Sequence, residues 1–524
     1  MQEGVREREL RQIRLEKLEK LKAKGIPVYP DRFDRTHSLQ EASKLDEGER
    51  IRVAGRITRR SKMGGVIFGD LRDVQGKLQF ALSKEDVGED NFDTFQELVD
   101  IGDFMGCEGV LFRTKRGELT VQVERYQFLG KALRPLPEKW KGLQDRELCY
   151  RQRYLDLVMN ASTRERFLVR SKVIRTIRRF LDDHQFEEVE TPVLCPKPSG
   201  ALATPFQTHH NALDIDVYLR IAPETYLKRL IVGGYDRIYE FARCFRNEGM
   251  DPTHLQDFTM LEYYCAYWNY EDNMDFTEKL VVHLLNELAE DLAKIRWLNQ
   301  IDALKSAGKG KEAMKLFKQG YEVKNPLKVY LGEEEIDFTP PWPRISLRDL
   351  ILQDTGIDVY QFDTVDKLRK EIKKKKIDIE DMDKMGKGKL VDQLYKKTSR
   401  PKLKNPTFII SHPIELSPLA RKNDENSQIV DRFQLLVAGA EIVNAYSELV
   451  DPIDQRHRLE EQARLNQKGD EEAMVMDEDY LLAMEHGMPP ISGWGMGIDR
   501  VVALLTGQEN LRDVIFFPLM KPLY

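Results

Sequence analysis

The sequence has no long apolar run. Its 524 residues are 32% charged, and no window approaches the ~18–20 apolar residues that are needed to cross a bilayer. The N-terminal stretch MQEGVRERELRQIRLEKLEKLKAKG is charged and lacks the apolar region of a secretory signal. We therefore expect neither a membrane partner nor secretion.

Cysteine is also scarce, with five residues in the chain and no CxxC pair. A scattered, odd number of cysteines fits neither a disulfide framework nor a zinc site. Free thiols in a reducing compartment are the simplest account, so a cytoplasmic location is expected. The five are Cys107, Cys149, Cys195, Cys244 and Cys265.

An excess of positive charge is missing as well, because the formal net charge is −6. Any binding of nucleic acid must therefore use local patches rather than the whole surface. The hydrophobic content of 41% is ordinary for a globular protein, and 524 residues suffice for two or three domains.

Residues 1–135 are predicted to form a first domain. Its first ~25 residues carry heptad-like Leu and Ile among many charges, which predicts a surface helix. From about 50 to 130 the pattern changes to five short alternating runs with turn signals, typical of a small β-barrel such as an OB-fold. Residues 136–160 are predicted to be a linker that contains a basic helix.

Residues 161–524 are predicted to form a second domain, and the fold class is α+β. The segment FLVRSKVIRTIRRFLDDHQF has helical periodicity, and EEVETPVLCPKPSG predicts a strand that ends at Pro192. Residues 295–400 are lysine-rich and weakly patterned, so they are predicted to be an inserted, mostly helical module. Core strand patterns return in PTFIISHPIELSPL, DRFQLLVAGAEIVNAYSELVDP and ISGWGMGIDRVVALL.

Two strand-like runs, DRIYEFARCFRNE and DFTMLEYYCAYW, flank the loop GMDPTHLQ and predict a long antiparallel hairpin. Alternate residues of a strand share one face, so Glu262 is expected beside Phe258 and Tyr264. A carboxylate among aromatic rings needs a partner, because burying an unpaired charge is costly. That partner is either a structural cation, Arg243 or Arg246, or a cationic ligand.

The segment GWGMGIDR places glycine at every second position, at Gly493, Gly495 and Gly497, and ends in Arg500. One face of such a strand is bare, so a flat ligand or another backbone can lie on it. The alternative is close packing of the strand on the helix that follows. The segment is not GxGxxG within a βαβ unit, so a dinucleotide-binding fold is a poor fit.

The segment AGAEIVNAYSELVDP puts Asn444, Tyr446 and Glu448 on one face of a strand. Glu441 falls on the opposite face if the strand is regular. A hairpin edge that faces solvent is the alternative explanation for this polar face. In LRIAPETYLKRL, Glu224 begins an apparent helix, where a carboxylate also suits the helix dipole.

Three of these segments resemble the three motifs of class II aminoacyl-tRNA synthetases, in the order of the family. EEVETPVL resembles motif 1, whose proline, here Pro192, lies at a dimer interface. FRNEG…H…FTMLEYYCAY resembles motif 2, and GWGMGIDR resembles motif 3. With the N-terminal barrel, the resemblance is to the subclass for lysine, aspartate and asparagine, and within it to the lysine enzymes. It covers nearly everything except residues 295–400.

The resemblance implies a fold, an activity and a set of partners. The fold is an antiparallel sheet flanked by helices, and the molecule is a homodimer. The activity is that of a lysine–tRNA ligase, which joins L-lysine to ATP as lysyl-adenylate and then charges the 3′ end of tRNA(Lys). Mg²⁺ is the implied cofactor, and two glutamates of the family hold it.

The resemblance also assigns roles to residues of this sequence. Arg246 and Arg500 are the catalytic arginines, and Arg246 contacts both the α-phosphate and the substrate carboxylate. Residues that meet ATP are Arg246, Asn247, Glu248, His254, Phe258, Glu441, Gly497 and Arg500. Residues that meet lysine are Gly200, Glu224, Arg246, Glu262, Tyr264, Asn444 and Glu448. Residues that meet anticodon bases are Phe68, Gln79 and Glu124.

The sequence departs from the family pattern at several positions. The two metal-binding glutamates correspond to Gln434 and Glu441, and a neutral amide is a weaker ligand for Mg²⁺. In the motif 2 loop, Thr253 replaces an expected arginine and Leu255 an expected asparagine. Ala440 stands where a charged residue is common.

Three alternatives to a lysine–tRNA ligase remain open. Relatives that attach lysine to a protein lack the barrel predicted at residues 50–130. An aspartate or asparagine ligase would not need the carboxylates Glu262 and Glu448 in its slot. A tRNA-binding protein without catalysis would have no physical need for Arg246, Glu441 and Arg500 together.

Overall fold

The chain divides between Arg164 and Glu165 into two units, Met1–Arg164 with Met520–Tyr524, and Glu165–Leu519. The structure is a computed structural model and describes residues 5–137, 145–467 and 474–523. Residues 138–144 of the predicted linker lie outside the described residues. No helix in the described ranges is long and apolar enough to span a membrane.

The first unit contains a closed five-stranded barrel of strand order β1-β2-β3-β5-β4. This confirms the barrel that the alternating pattern predicts, and α1 lies where the N-terminal helix was expected. Its helices are α1 (Val5–Ala23), α2 (Leu39–Ala42), α3 (Lys84–Val87), α4 (Glu89–Leu98), α5 (Arg146–Arg151) and α6 (Arg153–Met159). Its strands are β1 (Arg50–Met63), β2 (Val66–Arg72), β3 (Lys77–Ser83), β4 (Phe104–Arg113) and β5 (Leu119–Gly130).

Alternation along β1 shows why these residues form a barrel. Ile51, Val53 and Ile57 are fully buried, and Arg52, Ala54 and Arg56 between them are partly exposed. Successive side chains of a strand point to opposite faces, so one apolar stripe per strand fills the interior. Phe80 and Phe95 complete this core in an edge-to-face pair with ring centroids 5.9 Å apart.

The second unit is built on an eight-stranded sheet of order β14-β15-β16-β17-β18-β11-β10-β6. Neighbours from β15 to β10 are antiparallel, and only the edge pairs β14–β15 and β10–β6 are parallel. Its strands are β6 (Glu187–Glu188), β7 (Leu194–Cys195), β8 (Gln207–His210), β9 (Ile215–Leu219), β10 (Arg237–Phe245), β11 (Asp257–Ala266), β12 (Lys328–Leu331), β13 (Glu334–Asp337), β14 (Arg344–Ser346), β15 (Thr407–Pro413), β16 (Ile429–Val437), β17 (Ala440–Ser447) and β18 (Ile491–Gly497).

Helices flank this sheet, and α9 and α17 pack against it. They are α7 (Ala161–Asp183), α8 (Glu224–Val232), α9 (Tyr270–Glu287), α10 (Ala289–Ser306), α11 (Gly310–Gln319), α12 (Leu347–Thr355), α13 (Val365–Lys374), α14 (Lys387–Thr398), α15 (Pro452–Gln467), α16 (Glu478–Glu485) and α17 (Ile498–Leu505). Short 3-10 turns lie at Met382–Lys384, Arg400–Lys402, Ile414–Leu416 and Leu511–Asp513.

The predicted hairpin is formed by β10 and β11, which pair over their full length. One face of β11 enters the core through Leu261, Tyr263 and Cys265. Tyr263 stacks on Trp494 of β18, with ring centroids 4.6 Å apart. The opposite face is therefore available to line a site.

The prediction of a strand that ends at Pro192 is wrong about the length of that strand. Only Glu187–Glu188 forms a strand, β6, which pairs with β10 at the sheet edge. Proline has no N–H to donate to a ladder, so the chain leaves the sheet before Pro192. It then enters a small three-stranded sheet of order β7-β9-β8.

Residues 295–400 hold most of α10, all of α11 to α14, the hairpin β12–β13 and β14. The helices α12, α13 and α14 share a core of their own around Leu350, Leu368 and Leu394. The amphipathic pattern of α13, with apolar residues at helical spacing, buries Leu368 and Ile372 and leaves its lysines outside. That this segment is an insertion stays a prediction.

Candidate active site

A cavity of about 340 Å³ opens over the face of β11, β17 and β18 that points away from the core. Thirteen of the residues that the resemblance assigns to ATP or lysine line it together. They are Gly200, Glu224, Arg246, Glu248, His254, Phe258, Glu262, Tyr264, Glu441, Asn444, Glu448, Gly497 and Arg500. Asn247 and Gln434 are not part of the lining; the Asn247 backbone N–H donates to the Thr204 carbonyl at 2.8 Å.

The position of Glu441 corrects the expectation that it faces away from Asn444. The β16–β17 ladder shifts register between the pairs Leu435–Val443 and Leu436–Glu441. This β-bulge inserts one extra residue into β17 and reverses the alternation of side chains beyond it. Glu441 and Asn444 therefore line the same cavity.

The glycines of β18 form part of the cavity wall, as the bare strand face predicts. A Cβ at Gly493 would overlap the Oε1 of Glu448 and the ring of Tyr264. A Cβ at Gly495 would lie 3.7 Å from Glu262 and would remain in ordinary contact. Gly493 is thus required by the pocket side chains that cross it.

One end of the cavity is lined by three carboxylates, those of Glu224, Glu262 and Glu448. The Nζ of Lys228 lies 2.5 Å from the Oε1 of Glu224 and also contacts the Oε2 of Glu448. The Oη of Tyr264 donates to the Oε2 of Glu262 at 3.2 Å. All of these residues are buried. The three carboxylates line this end of the cavity, and Lys228 contacts two of them without being part of the lining.

The structural ion pair considered for Glu262 is not formed. Arg243 instead pairs with Asp257 and donates to the Thr259 hydroxyl at 3.0 Å. The Arg246 guanidinium lies 5.1 Å from the ring centroid of Phe258, a cation–π arrangement. The cationic ligand, which was the other explanation for Glu262, therefore gains support.

Burial and crowding of like charge change the titration of this acidic end. Burial, reinforced by the neighbouring Glu224, raises the pKa of Glu262 to about 8. Burial also raises the pKa of Glu448, against the opposing effect of Lys228. Burial alone would lower the pKa of Lys228, but Glu224 and Glu448 outweigh it and raise that pKa well above its usual value.

Hydrogen bonds also leave room for a ligand at the acidic end. The buried Oε1 of Glu448 has no hydrogen-bond partner in the described part of the chain. With all groups ionised, the three carboxylates and Lys228 carry a net charge of −2. A buried site with that charge is completed by a ligand with two positive groups.

The opposite end of the cavity is lined by cations and an aromatic ring. The buried Nε of Arg246 has no hydrogen-bond partner among the described residues. In the loop between β10 and β11, Asp251 accepts from the backbone and hydroxyl of Thr253 at 2.6 and 2.7 Å. It also lies 2.8 Å from the Nδ1 of His254. The loop is thus tied by an Asx turn that presents His254 to the cavity.

Arg500 and Glu441 face each other across this end. The Nη1 of Arg500 donates to the Glu441 carbonyl at 3.1 Å, and burial lowers the pKa of Arg500, partly opposed by Glu441. The Nε2 of Gln434 donates to the Oε2 of Glu441 at 2.7 Å. The Oε1 of Gln434 is turned toward the Nε2 of His412 at 3.3 Å.

This arrangement fits one carboxylate ligand for a metal rather than two. In residues 5–137, 145–467 and 474–523, no group of three or more His, Cys, Asp or Glu could hold an ion. Burial lowers the pKa of His412 to about 3, so its ring is neutral and its Nε2–H can donate to Gln434. Mg²⁺ is commonly bound by one or two carboxylates together with substrate phosphates and waters. Glu441 supplies one such carboxylate.

Sequence reasoning did not single out Arg432 and gave no role to Tyr446, two residues of the cavity wall that hold other site residues in place. Arg432 donates from Nε to the Oδ1 of Asn444 at 2.8 Å and from Nη1 to the Ser417 hydroxyl at 2.8 Å. Tyr446 donates to the Oε1 of Glu224 at 2.7 Å. Lys228 was visible in the sequence, since it follows Glu224 by four residues in a helix and so shares its face.

The residues predicted to meet anticodon bases lie on three strands of the barrel. Phe68 of β2 is partly buried. Gln79 of β3 accepts from the Thr120 hydroxyl at 2.9 Å. Glu124 of β5 forms a two-bond ion pair with Arg50, at 2.7 and 3.0 Å.

Comparison with known families agrees with both units. The model for the OB-fold nucleic acid binding domain matches residues 51–129, and the model for class II tRNA synthetases (D, K and N) matches residues 145–521. The second match spans more than half of the chain. The chain therefore belongs to the class II tRNA synthetases, which confirms the predicted fold class and family.

Similar proteins of known name narrow this class further. The chain is 43% identical over 519 residues to the lysine–tRNA ligase of Carboxydothermus hydrogenoformans, with 98% of each chain covered. It is 44% identical over 519 residues to that of Pelotomaculum thermopropionicum, covering 98% of this chain and 95% of that one. It is 41% identical over 520 residues to that of Bacillus subtilis, with 97% of each chain covered.

Proposed function

We propose that this chain is a lysine–tRNA ligase, which activates L-lysine with ATP and transfers it to the 3′ end of tRNA(Lys). The observation that carries the proposal is the buried acidic end of the cavity, where Glu224, Glu262 and Glu448 outnumber Lys228. With these four groups all ionised, the net charge of −2 matches the two ammonium groups of lysine. The names of the similar proteins point the same way.

The proposed lysine site uses both ends of the substrate. Glu224, next to the backbone of Gly200, receives the α-ammonium, and Arg246 receives the carboxylate. A Cβ at Gly200 would come within 3.0 Å of Glu224, which accounts for glycine there. The ε-ammonium enters the slot, where it meets the remaining residues, Glu262, Tyr264, Asn444 and Glu448.

The proposed ATP site is the opposite end of the cavity. Arg246 contacts the α-phosphate, and His254 reaches the terminal phosphates from its tied loop. Adenine stacks between the Phe258 ring and the Arg500 guanidinium, since both present flat faces. Backbone and polar groups of Asn247, Glu248 and Gly497 complete the site.

The proposed chemistry needs no covalent bond to the protein. A lysine carboxylate oxygen attacks the α-phosphorus in line, the bond to the bridging oxygen breaks, and pyrophosphate leaves. The terminal ribose hydroxyl of the tRNA then attacks the lysyl carbonyl, and AMP leaves. Arg246 and Arg500 hold the reacting groups in line and neutralise charge that develops on the phosphate, which supplies most of the rate.

Glu441 is the proposed residue for Mg²⁺, which supplies charge neutralisation of the ATP phosphates when bound. Gln434 orients Glu441 through the hydrogen bond at 2.7 Å rather than binding the ion through its own oxygen. We also propose a homodimer with Pro192 near its interface, and a cytoplasmic location. Free, buried thiols at Cys107, Cys244 and Cys265 are in keeping with a reducing compartment.

The barrel is proposed to bind the anticodon through Phe68, Gln79 and Glu124. Unstacked bases are read by stacking on aromatic rings and by hydrogen bonds, and these three side chains supply both. Because the net charge of the chain is −6, the tRNA is proposed to bind at local cationic patches.

ATP–pyrophosphate exchange, measured with each of the twenty amino acids and with Mg²⁺ titrated, tests this function. Exchange with lysine alone is the expected result. Exchange with aspartate or asparagine would overturn the assignment of the acidic slot. No exchange with any amino acid would reject the enzyme and favour a tRNA-binding protein without catalysis.

A further inference from the structure

Lys228 is a lysine that lies completely buried inside a site proposed to bind lysine. Its side chain is 0% exposed, and its Nζ contacts one carboxylate oxygen from each of Glu224 and Glu448. Three tyrosine rings surround the ammonium group, with centroids 5.7 to 6.0 Å away. These rings belong to Tyr264, Tyr446 and Tyr480.

Stability alone does not explain a buried cation at this position. Desolvating an ion pair costs about as much as its attraction returns, so a well-packed apolar residue is often equally stable there. The helix α8 also buries the apolar residues Leu227 and Ile231, which precede and follow Lys228 in the sequence. An apolar residue at Lys228 would leave Glu224 and Glu448 buried without their common cation, so the function of the lysine depends on these two carboxylates.

Lys228 contacts only one of the two carboxylate oxygens of Glu224 and only one of those of Glu448. Oε1 of Glu224 accepts from both Lys228 and Tyr446, and no hydrogen bond engages its Oε2 in the described ranges. Oε2 of Glu448 forms an ion pair with Lys228, and neither oxygen of this carboxylate has a hydrogen-bond partner in the same ranges. Each carboxylate thus has one oxygen held by the protein and one left for a ligand.

We propose that Lys228 is a positioning residue, which fixes Glu224 and Glu448 so that their remaining oxygens receive the two ammonium groups of the substrate. The inference rests on the proposed function and deepens it. Lys228 supplies the charge that reduces three negative carboxylates to a net −2. Without it Glu224 and Glu448 would be buried without the cation that they share, which is strongly unfavourable.

A consequence for specificity follows. An amino acid with one ammonium group leaves one of the prepared oxygens buried and unpaired, which a polar site rejects strongly. The selection therefore depends on where the two carboxylates are held, and not only on their presence. Lys228 is the group that sets that geometry.

The test replaces Lys228 by methionine, which keeps the length of the side chain and removes its charge. In ATP–pyrophosphate exchange we expect the KM for lysine to rise about 100-fold, since loss of one partner of a buried pair has effects of that order. The KM for ATP should change less than threefold. Lys172→Met is the matched control: it breaks a partly exposed ion pair between Lys172 of α7 and Asp291 of α10, both outside the cavity lining, and should leave both values unchanged.

A double-mutant cycle separates positioning from general loss of packing. In a Glu448→Gln background, Lys228→Met should raise the KM for lysine at least tenfold less than it does in the parent. An equal rise in both backgrounds would assign the effect to packing and overturn the proposal. A KM for lysine within threefold of the parent in Lys228→Met would overturn it as well.

Two further outcomes, a variant that does not fold and a parent protein without lysine exchange, also test the inference. If Lys228→Met does not fold, Lys228→Arg is the alternative variant, because it keeps the positive charge and changes its position. The KM for lysine should then rise at least tenfold, and the KM for ATP should stay unchanged. An unchanged KM for lysine rejects the inference. If the parent shows no lysine-dependent exchange, the proposed function fails, and the inference fails with it. Lysine exchange in the parent with no effect of Lys228→Met rejects the inference alone.

Discussion

The side-chain amide of Gln434 donates a hydrogen bond of 2.7 Å to the carboxylate of Glu441. This contact stands where the family resemblance implies a pair of carboxylates around a metal ion. An amide that uses its nitrogen on Glu441 and turns its oxygen to His412 does not offer that oxygen to the ion. The relationship makes the number of bound divalent ions a testable property of this chain.

Gln434→Glu should restore the second carboxylate. We expect the Mg²⁺ concentration for half-maximal exchange to fall about tenfold, the order of effect seen when groups around a metal site are changed. Binding of Mn²⁺ in the presence of ATP, counted by electron paramagnetic resonance, should show at least one additional tight ion. The exposed Gln361→Glu is the charge-matched control. An unchanged ion count would show that Gln434 does not limit metal binding.

Lysine binding should release a proton. The pKa of Glu262 is raised to about 8 by burial and by Glu224, so this carboxyl is mostly protonated at pH 7 in the free protein. The ε-ammonium binds the ionised form, so affinity should rise up to about tenfold per pH unit from pH 6.5 toward pH 8 and then level off.

Calorimetry of lysine binding at pH 7, in phosphate and in Tris, measures that release directly. Buffers with different ionisation enthalpies should give different apparent enthalpies, corresponding to nearly one proton. Glu262→Gln should reduce the difference between buffers by the contribution of that carboxyl, and Glu448, whose pKa is also raised, accounts for any remainder. Identical enthalpies for the parent protein in both buffers would contradict the raised pKa.

Gly493→Ala should block the lysine slot while the fold persists. The added Cβ overlaps an oxygen of Glu448 and the ring of Tyr264, so these side chains must move away from the positions that define the slot. We expect the KM for lysine to rise at least about 100-fold, from distortion of the kind that overpacking causes. Gly386→Ala, where an added Cβ meets nothing within 4 Å, is the matched control. Normal lysine exchange in Gly493→Ala would refute the arrangement.

Phe68→Ala should separate tRNA recognition from amino acid activation. Loss of one aromatic platform is expected to raise the KM for tRNA about 10- to 100-fold, because stacking of a base contributes ~1–3 kcal/mol. Lysine-dependent pyrophosphate exchange without tRNA should stay unchanged. Parallel assays of charging and exchange on the same preparation provide the check. A fall in both activities would indicate a structural role for Phe68 in the barrel.

Local patterns in the sequence determined much of this protein. Alternation predicted the barrel at residues 50–130 and the shared face of Phe258, Glu262 and Tyr264, because side-chain direction in a regular strand depends only on position along it. Helical periodicity predicted α1 and α7 for the same reason. The residues at both ends of the cavity could be identified from the sequence because the segments that resemble the three class II motifs occur in the order of the family.

Only the tertiary structure decided the features that depend on contacts between residues distant in the sequence. The bulge that turns Glu441 into the cavity arises in the pairing of β16 with β17, so one strand's own alternation could not reveal it. The length of the strand before Pro192 was decided by its pairing, since only Glu187 and Glu188 pair with β10 at the edge of the sheet. Lys228 meets Glu448 across 220 residues of sequence, and only folding shows that these charges share one buried site.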